Sequence, residues 1–449
     1  MKRTAWIIVF IMIFGSQEMK SQKNWTLEDC VTYAVSNNIQ LKRQMLQTDN
    51  ARVNLTKSRL DALPNLNFES DGNLGFGRSI NPVTNLITFQ ENISNSYTLS
   101  SSLNLFNGFS TLNTTAANKY MLEAGLESEK IVINTLVVNI LGAYYQVLYA
   151  KGLESTARRQ LSQSEKQLFR IKKNVEAGRE AVSKQYEIES RVSEDKLALT
   201  IAVNSTSQAV TSLKQILQLE AGTEFDVKMP GLDSIMITDE TYRTDSVFTV
   251  ASQNLPRLKE LNYELLASQK QVAAAKGGIS PRILVGGAVY TGYYQVVGGG
   301  ATDQGSFASQ LKDNNSQTVY ARLQIPIFNN YSTARNISLA KIKRNDTELR
   351  LELEKNSLYT EIENVCLNYS RGKDEFGAAL SNFEFNKKSF DVVEKKFESG
   401  LVDVTDYSAA STTLFRAESE ALRTKLQLMI RRLIIQFYAS GDYKTIISN

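Results

Sequence analysis

The sequence predicts an α+β membrane protein in which a tandem repeat supplies four membrane-spanning strands and several very long helices. Four segments of about ten residues alternate between apolar and polar side chains. That two-residue period is typical of an outer-membrane strand with one lipid-facing side and one wet side. Two other segments, each longer than 60 residues, contain no proline and few glycines, which indicates helix.

The clearest strand covers residues 318–327 and leads directly into one of the long helical segments. Its apolar side carries Val319, Leu323 and Ile327, with polar residues between them. Residues 332–397 then contain two glycines and no proline, which predicts one continuous helix. At ~1.5 Å per residue this helix is roughly 100 Å long, against an average of ~11–12 residues in globular proteins. A strand joined to such a helix suggests an object that spans a membrane and the space beside it.

The chain contains this arrangement twice. Phe106 and Phe328 each end a strand, are each followed by Asn, and lie 222 positions apart. Gly178 and Gly400 follow the two long helical segments and are also 222 positions apart. Because the markers recur in one order, a repeat explains them better than two unrelated helices. We therefore predict a first repeat at 23–220, a linker at 221–239 and a second repeat at 240–449.

Residues 1–22 predict a secretory signal peptide. Lys2 and Arg3 precede an apolar run over residues 5–14, which is too short to span a membrane as a helix. Cleavage is expected between residues 15 and 23, and a buried N-terminal helix is the alternative. Since no later apolar run reaches ~18 residues, we expect no transmembrane helix after the signal.

Capping residues and prolines indicate where the remaining helices and strands begin and end. Thr26 followed three residues later by Asp29 predicts a helix start. This helix is expected to end near Asp61, with a break at Asn38 as an alternative. The further predicted elements, in order, are strands at 65–76 and 97–105 around a polar loop at 78–95, helices at 110–177 and 182–219, a helix ending at 275, a strand starting at 283, a flexible loop at 298–316 and a last helix at 404–438.

Composition excludes several classes of function. The 51 basic and 47 acidic side chains nearly balance, at a formal charge of +4, so nucleic acid is not an expected partner. The chain has no histidine, which excludes a Ser-His-Asp triad and a His-ligated zinc site. We expect no catalytic residues, no cofactor and no metal site. Cys30 and Cys366 could pair in an oxidising compartment, but two separate thiols are the favoured interpretation.

Four strands cannot close a barrel alone, because common barrels need ~8 or more and open edges cannot face lipid. Two copies would give eight strands and a filled bore, whereas three would give twelve strands and room for a conduit. The second long helix carries Phe376, Leu380 and Phe383 at steps of three and four residues, which favours coiled-coil packing. A soluble coiled-coil bundle would leave the signal peptide and the strands unexplained.

The order of these features resembles the TolC family of outer-membrane efflux proteins, over essentially the whole mature chain. The matching segments are the two halves themselves, Leu105-Phe106-Asn107-Gly108, Pro326-Ile327-Phe328-Asn329, the helix starts near Asn38 and Asn254, and the turns at Gly178 and Gly400. The resemblance implies a homotrimer with a twelve-stranded β-barrel in outer-membrane lipid and a periplasmic α-helical coiled-coil barrel. It implies a periplasmic adaptor (membrane fusion) protein and an inner-membrane pump as partners. The chain would then be a passive duct of an efflux or type I secretion system, and not an enzyme.

Two other functions are open to the sequence. A passive outer-membrane porin would explain the strands, but it would leave the long helices without a role. An outer-membrane enzyme is disfavoured by the absence of histidine and of any nucleophile motif. The sequence does not distinguish export of small molecules by a resistance-nodulation-division pump from export of proteins by an ABC transporter.

The resemblance also implies where the duct meets its partner. Gly178, Gly400 and Leu401 are expected at the periplasmic tips, in contact with the adaptor. Glycine after a helix is also ordinary capping, and both roles can hold together.

The last expectation concerns a channel gate formed by Asp406, Asp403 and Lys184. In the family an aspartate commonly stands six residues after the second tip glycine, and Asp406 matches that position. A further acidic position is Ala409 here, and the matching site of the first half is Lys184, so this chain departs from the pattern. In a trimer Asp406 would form a ring of three carboxylates, which selects cations. A solvated carboxylate near a helix N-terminus is the alternative.

Overall fold

The computed structural model describes residues 24–80, 85–89, 91–220, 222–228, 241–297 and 305–447. The predicted signal segment 1–22 lies outside the described residues, as do parts of the predicted linker and of the loop at 298–316. The helices are α1 (Leu27–Asn37), α2 (Ile39–Leu60), α3 (Ser110–Glu176), α4 (Val182–Leu217), α5 (Thr244–Asn254), α6 (Pro256–Lys276), α7 (Phe307–Asp313), α8 (Ser332–Glu398), α9 (Val404–Ser440) and α10 (Lys444–Ile447). The strands are β1 (Asn24–Trp25), β2 (Asn65–Gly75), β3 (Arg78–Ile80), β4 (Ile87–Phe89), β5 (Asn92–Phe106), β6 (Asp226–Val227), β7 (Arg282–Val296) and β8 (Ser316–Gln324).

The four longest helices confirm the sequence prediction to within two residues at each end. The N-terminal helix also begins as predicted, because the Thr26 side chain accepts from the Asp29 amide at 3.1 Å and Asp29 Oδ2 accepts from the Thr26 amide at 3.0 Å. The break between α1 and α2 falls at Asn38, whose side-chain oxygen caps α2 by accepting from the Leu41 amide at 3.1 Å. Pro256 is the first residue of α6, where its missing N–H costs nothing.

The main sheet has the strand order β2-β5-β7-β8, with every neighbouring pair antiparallel. Its central pair joins the two halves of the chain, with Ser100 opposite Ala288. The strand β8 stops at Gln324, shorter than predicted, before Pro326, whose ring nitrogen cannot donate to a ladder. The described residues provide no partner for the outer side of β2 or of β8.

The edge strands carry apolar side chains that are largely exposed in the single chain. Phe68 on β2 is 67% exposed and Val319 on β8 is 91% exposed. Exposed apolar side chains on a polar-backed sheet are what a strand surrounded by lipid requires. The predicted alternation is therefore confirmed as an exposed apolar side of the sheet.

Both passages from a strand into a long helix use the same hydrogen bonds. Asn107 Nδ2 donates to Thr111 Oγ1 at 2.6 Å, and Asn329 Nδ2 donates to Thr333 Oγ1 at 2.5 Å. Each asparagine also accepts from the amide of its threonine, at 3.4 and 3.5 Å. The two pairs are 222 positions apart. The Phe-Asn markers of the sequence thus correspond to one recurring helix start.

Several short elements were not predicted. The strands β3 and β4 pair inside the expected loop at 78–95, and α7 lies inside the expected loop at 298–316. Gln310 on α7 is 5% exposed and holds the backbone of Tyr294, donating to its oxygen and accepting from its amide, both at 3.0 Å. The strand β6 lies in the predicted linker and pairs in parallel with β1. The elements β3, β4 and α7 are too short to show a clear hydrophobic period, and the β1–β6 pair depends on a distant partner.

The chain forms two compact units, each built from both halves of the sequence. One unit contains the chain through Gln44, Glu129–Pro256 and the chain from Glu354 onward, and the other contains Met45–Ser128 and Arg257–Leu353. The main sheet lies wholly in the second unit. The predicted boundaries of the repeats and linker stay a prediction.

The first unit has a core centred on α3. Ile140 and Leu141 are completely buried and Leu148 is 1% exposed. Within the described residues α3 is the one helix long and apolar enough to cross a membrane, 44% of its apolar window being buried. The expectation that no such stretch follows the signal was therefore wrong, since residues 131–150 carry no charge. Ile140, Leu141 and Leu148 of this stretch are buried in the protein core.

The cysteines do not form a disulfide. Cys30 is buried in the first unit and Cys366 is half-buried, and both are free thiols. Burial raises the pKa of the Cys30 thiol to about 12, so this thiol stays protonated and unreactive at physiological pH. The interpretation of two separate small residues is confirmed.

Candidate functional site: the helical tips and the start of α9

The turn after α3 is closed by Gly178 in the left-handed conformation, with φ +69°. The Gly178 amide donates to the Val175 oxygen at 2.9 Å, and the Arg179 amide donates to the Asn174 oxygen at 2.8 Å. These two bonds form a Schellman motif, which satisfies the last carbonyl groups of a helix. A side chain at this φ would be strained, so glycine fits the turn.

The turn after α8 has the same backbone conformation as the turn after α3. Gly400 has φ +73°, its amide donates to the Phe397 oxygen at 3.1 Å, and the Leu401 amide donates to the Lys396 oxygen at 2.8 Å. No atom lies within 4 Å of where a Cβ would stand on Gly178 or Gly400, so the conformation and not crowding selects glycine. The side chain of Leu401 is 75% exposed. An exposed leucine on a capped turn is suited to contact with another protein.

An aromatic core lies behind the two turns and fixes the start of α9. Tyr407 is 2% exposed and stacks on Phe397 at 4.6 Å between ring centroids, with Phe390 at 5.6 Å. Burial raises the pKa of Tyr407 well above its usual range, so the hydroxyl remains neutral. The other buried members of this cluster are Ile171, Ile188 and Val404. Sequence reasoning missed Tyr407, although its spacing of three from Val404 gives one apolar helix face.

Asp403 and Asp406 lie at the beginning of α9 with different partners. Asp403 is the N-cap, and its Oδ1 accepts from the Asp406 amide at 2.9 Å. Asp406 is in the first turn and is exposed. The partial positive charge of the helix N-terminus stabilises both carboxylates. Of the two predicted gate carboxylates, Asp403 thus has a visible capping role and Asp406 presents its charge to solvent.

Lys184 lies at the start of α4 and is paired locally. Its Nζ is 2.7 Å from Glu180 Oε2, and the lysine side chain is 35% exposed. The structure therefore pairs Lys184 with Glu180, and not with Asp406. Sequence reasoning missed Glu180, which lies four residues before Lys184 and just ahead of the first residue of α4. Among the described residues no group of three or more metal-ligating side chains could hold a metal ion.

The comparisons with known proteins define the class. The family model described as "Outer membrane efflux protein" matches residues 31–218 and again residues 248–438. The chain belongs to this family, whose members fold as channels. It is an efflux protein of the Gram-negative outer membrane that extends into the periplasm, and the porin alternative is not supported.

Individual relatives are distant in sequence and close in fold. Outer membrane protein OprJ of Pseudomonas aeruginosa is 21% identical over 420 residues, covering 92% of this chain and 84% of OprJ. The CusC structure is 17% identical and superposes with a TM-score of 0.77, covering 92% of each chain. The outer membrane channel CmeC of Campylobacter jejuni is 14% identical with a TM-score of 0.75, covering 94% of this chain and 88% of CmeC. The MtrE outer membrane channel of Neisseria gonorrhoeae, crystallised in an open state, is 18% identical with a TM-score of 0.73, covering 93% of this chain and 89% of MtrE.

Proposed function

We propose that three copies of this chain assemble into a duct with a continuous wall. The duct conducts substrates passively to the cell exterior. An inner-membrane pump supplies the energy, and a periplasmic adaptor protein joins the pump to the helical tips. The chain itself catalyses no reaction. The observation that carries this proposal is the main sheet, whose two outer edges are unpaired within the described part of the chain.

Unpaired edges cannot remain in lipid, because each free N–H and C=O group there costs several kcal/mol. The edge strands β2 and β8 are 11 and 9 residues long, about the length that crosses a bilayer when tilted. Joining β8 of one copy to β2 of the next satisfies both edges. Three copies of the four-stranded sheet then give a barrel of twelve strands, wide enough for a conduit.

Exposed apolar seams on two helices support the same assembly. The helix α2 enters edge strand β2, and α8 leaves edge strand β8. The α2 seam repeats every seven residues and comprises Ile39, Leu46, Val53 and Leu60, all more than half exposed. The α8 seam comprises Leu339, Ile342, Leu349 and Leu353, also more than half exposed. Heptad seams of this kind are covered by a neighbouring helix, and a second copy presents one beside each joined edge.

The tips and the gate complete the proposal. Gly178, Gly400 and Leu401 form the adaptor contact, supported by the exposed leucine on a rigid capped turn. Asp406 lines the narrow end of the duct as a ring of three charges, with Asp403 ordering the turn that carries it. Lys184 lies beside the constriction with its charge offset by Glu180. The support for this gate is the exposure of Asp406 next to a rigid aromatic core.

Deletion of the gene in its host tests the function. Loss of small-molecule efflux would raise intracellular accumulation of fluorescent dyes, and complementation by the wild-type gene would restore it. Loss of type I secretion would instead remove particular proteins from the culture medium while dye accumulation stayed normal. A deletion strain unchanged in both would contradict a role in export. The neighbouring genes discriminate further, since a resistance-nodulation-division pump accompanies small-molecule export and a secretion ATPase accompanies protein export.

A further inference from the structure

Two aromatic side chains are exposed where the main sheet passes into the long helices. Phe109 lies between β5 and α3, and Tyr331 lies between β8 and α8, 222 positions further along the chain. Both have a left-handed backbone, with φ +61° and +63°, which is unfavourable for any residue that has a side chain. The two rings are 60% and 67% exposed, so packing within the chain offsets little of this strain.

A lysine follows each of these aromatic residues at the same distance along the chain. Lys119 on α3 and Lys341 on α8 each lie ten residues after their aromatic residue and are also 222 positions apart. Both lysines are exposed, and neither forms an ion pair within the described part of the chain. Helical side chains lean toward the N-terminus of their helix, which for α3 and α8 is the end that joins the strands. Both ammonium groups are therefore directed toward the sheet.

The ends of four helices lie side by side next to the main sheet. The Thr115 hydroxyl on α3 donates to the Ser58 oxygen on α2 at 3.0 Å. The turn Gly277–Ile279 follows α6, and a Cβ added to Gly108 would stand 2.5 Å from its first carbonyl oxygen. The Thr333 hydroxyl on α8 donates to the same turn at 3.5 Å. The neighbours α2, α3, α6 and α8 thus follow the strand order of the sheet.

These four helix ends are strongly basic, although the chain as a whole is nearly balanced in charge. We call them the basic collar, which comprises residues 50–61, 107–122, 265–281 and 328–345. The collar contains ten lysine and arginine residues and one acidic residue, against 51 and 47 in the whole chain. The acidic residue, Asp61, is paired with Lys57, whose Nζ lies 3.0 Å from Asp61 Oδ2. The collar therefore presents almost only positive charge.

The order of side chains from the sheet to the collar matches the layers of a phospholipid monolayer. The passage from β8 to α8 carries Ile327 and Phe328, which are 95% and 83% exposed. Aromatic side chains favour the boundary between acyl chains and headgroups, and lysine extends its charged end to the headgroup layer. Basic residues beside that layer attract anionic lipids. Apolar, aromatic and basic groups follow one another here in that order.

We propose that the basic collar binds the headgroups of anionic phospholipids in the periplasmic leaflet of the outer membrane. Phe109 and Tyr331 enter the boundary of the acyl chains, and Lys119 and Lys341 contact the lipid phosphates. Burial of the two rings in the lipid offsets the strain of their backbones. The site depends on the sheet lying in the membrane, and not on which substrates the duct conducts.

Fluorescence quenching by brominated lipids measures both the position of the site and its lipid preference. The mature chain has one tryptophan, Trp25, which lies in the other compact unit, so Tyr331→Trp adds a single emitter at the collar. The variant is reconstituted into vesicles of phosphatidylglycerol and phosphatidylcholine, with bromine on one lipid or the other. The added emission should show a roughly fivefold preference for phosphatidylglycerol at low salt. The preference should largely disappear at about 1 M salt.

Neutral lysine variants test which charges give the preference. Lys119→Gln combined with Lys341→Gln, in the Tyr331→Trp protein, should lower the preference to below about twofold. The matched control is Lys166→Gln combined with Lys387→Gln, which removes two exposed lysines from the same helices in the other compact unit and should change nothing. Phe109→Trp repeats the measurement at the first passage and should report the same preference.

Several results would overturn the lipid site. Absence of quenching by either lipid at both positions would place the aromatic residues outside the membrane. Equal quenching by the two lipids, or an unchanged preference in the double lysine variant, would remove the anionic headgroup as the ligand. Loss of the preference in excess inorganic phosphate at constant ionic strength would indicate a site for phosphate ions. A double variant that changes the reversal potential and keeps the lipid preference would place the lysines in the bore.

Discussion

Asp403 and Asp406 stand three residues apart at the start of α9, and their surroundings give them separate tasks. The Asp403 carboxylate is engaged with the Asp406 amide, while the Asp406 carboxylate is exposed. A sequence shows two acids near a glycine and cannot show which is engaged. The Asp403-x-x-Asp406 spacing is nevertheless a helix-start signal, so the N-cap could have been predicted from the sequence.

Asp406→Asn is expected to lower the preference for cations over anions, and Asp406→Lys to lower it further. The reason is that a ring of like charge selects the opposite ion, and a narrow bore screens the ring less than bulk water does. Reversal potentials under a salt gradient in planar bilayers measure the effect. Asp391→Asn, an exposed change on α8, is the control and should leave them unchanged. Unaltered potentials in both Asp406 variants would place this residue outside the constriction.

Asp403→Ala is expected to loosen the first turn of α9 at a cost of about 1 kcal/mol, the typical value of an N-cap. Amide hydrogen exchange over residues 404–408 should accelerate roughly fivefold, because opening of the turn becomes correspondingly easier. Asp403→Ser retains a capping oxygen and should exchange at nearly the wild-type rate. Equal protection in Asp403→Ala and Asp403→Ser would show that the aromatic core around Tyr407 holds the turn without the cap.

At the scale of elements, the two tips have the same backbone conformation and carry different side chains. Gly178 is followed by Arg179, and Gly400 is followed by the exposed Leu401. The Schellman bonds make both turns rigid, so a partner meets a preformed surface. An adaptor that recognises apolar side chains would distinguish the second tip from the first.

Leu401→Trp or Gly400→Val is expected to abolish export while leaving trimer assembly and membrane insertion intact. A bulky side chain changes the contact surface at Leu401, and valine strains the left-handed backbone at Gly400 by roughly 1–2 kcal/mol. Accumulation of a fluorescent efflux substrate in cells measures export, and native gels of membrane extracts measure assembly. Gly377→Ala is the control, because Gly377 lies on α8 with nothing within 4 Å of an added Cβ. Normal export by both tip variants would place the adaptor contact elsewhere.

Elements defined by local signals were predictable, whereas very short elements and elements defined by distant partners were not. Proline and glycine delimited the long helices, and the hydroxyl cap at Thr26 marked the start of α1, because each acts on its own few residues. The strands β3 and β4 and the helix α7 are too short to show a clear hydrophobic period, and the β1–β6 pair joins Asn24 to Asp226, far along the chain. The same limit applies to the site. Glycine turns were predictable from the sequence, whereas the packing of Tyr407 against Phe390 and Phe397 requires three-dimensional contacts.

At the scale of the whole molecule, the mature protein is expected to be an obligate trimer. Native mass spectrometry in detergent should show three times the protomer mass and little monomer. Leu46→Glu places a charge in the α2 seam and should lower the trimer fraction, whereas Gln47→Glu, the adjacent exposed residue, should not. A stable monomer with a closed barrel would contradict both the joined edges and the seam.

The pairing of β5 with β7 sets the order in which this protein can be made. Ser100 meets Ala288 across the sheet, so the chain must have delivered α3, α4, α5 and α6 before the two central strands can join. The β2–β5 pair alone is a two-stranded hairpin, which is marginally stable in water, and contacts so distant in sequence form slowly. Its exposed apolar side chains therefore stay open to aggregation in the periplasm until β7 has also been secreted. Until then, keeping the first half apart from other chains is a task for the cell's periplasmic chaperones.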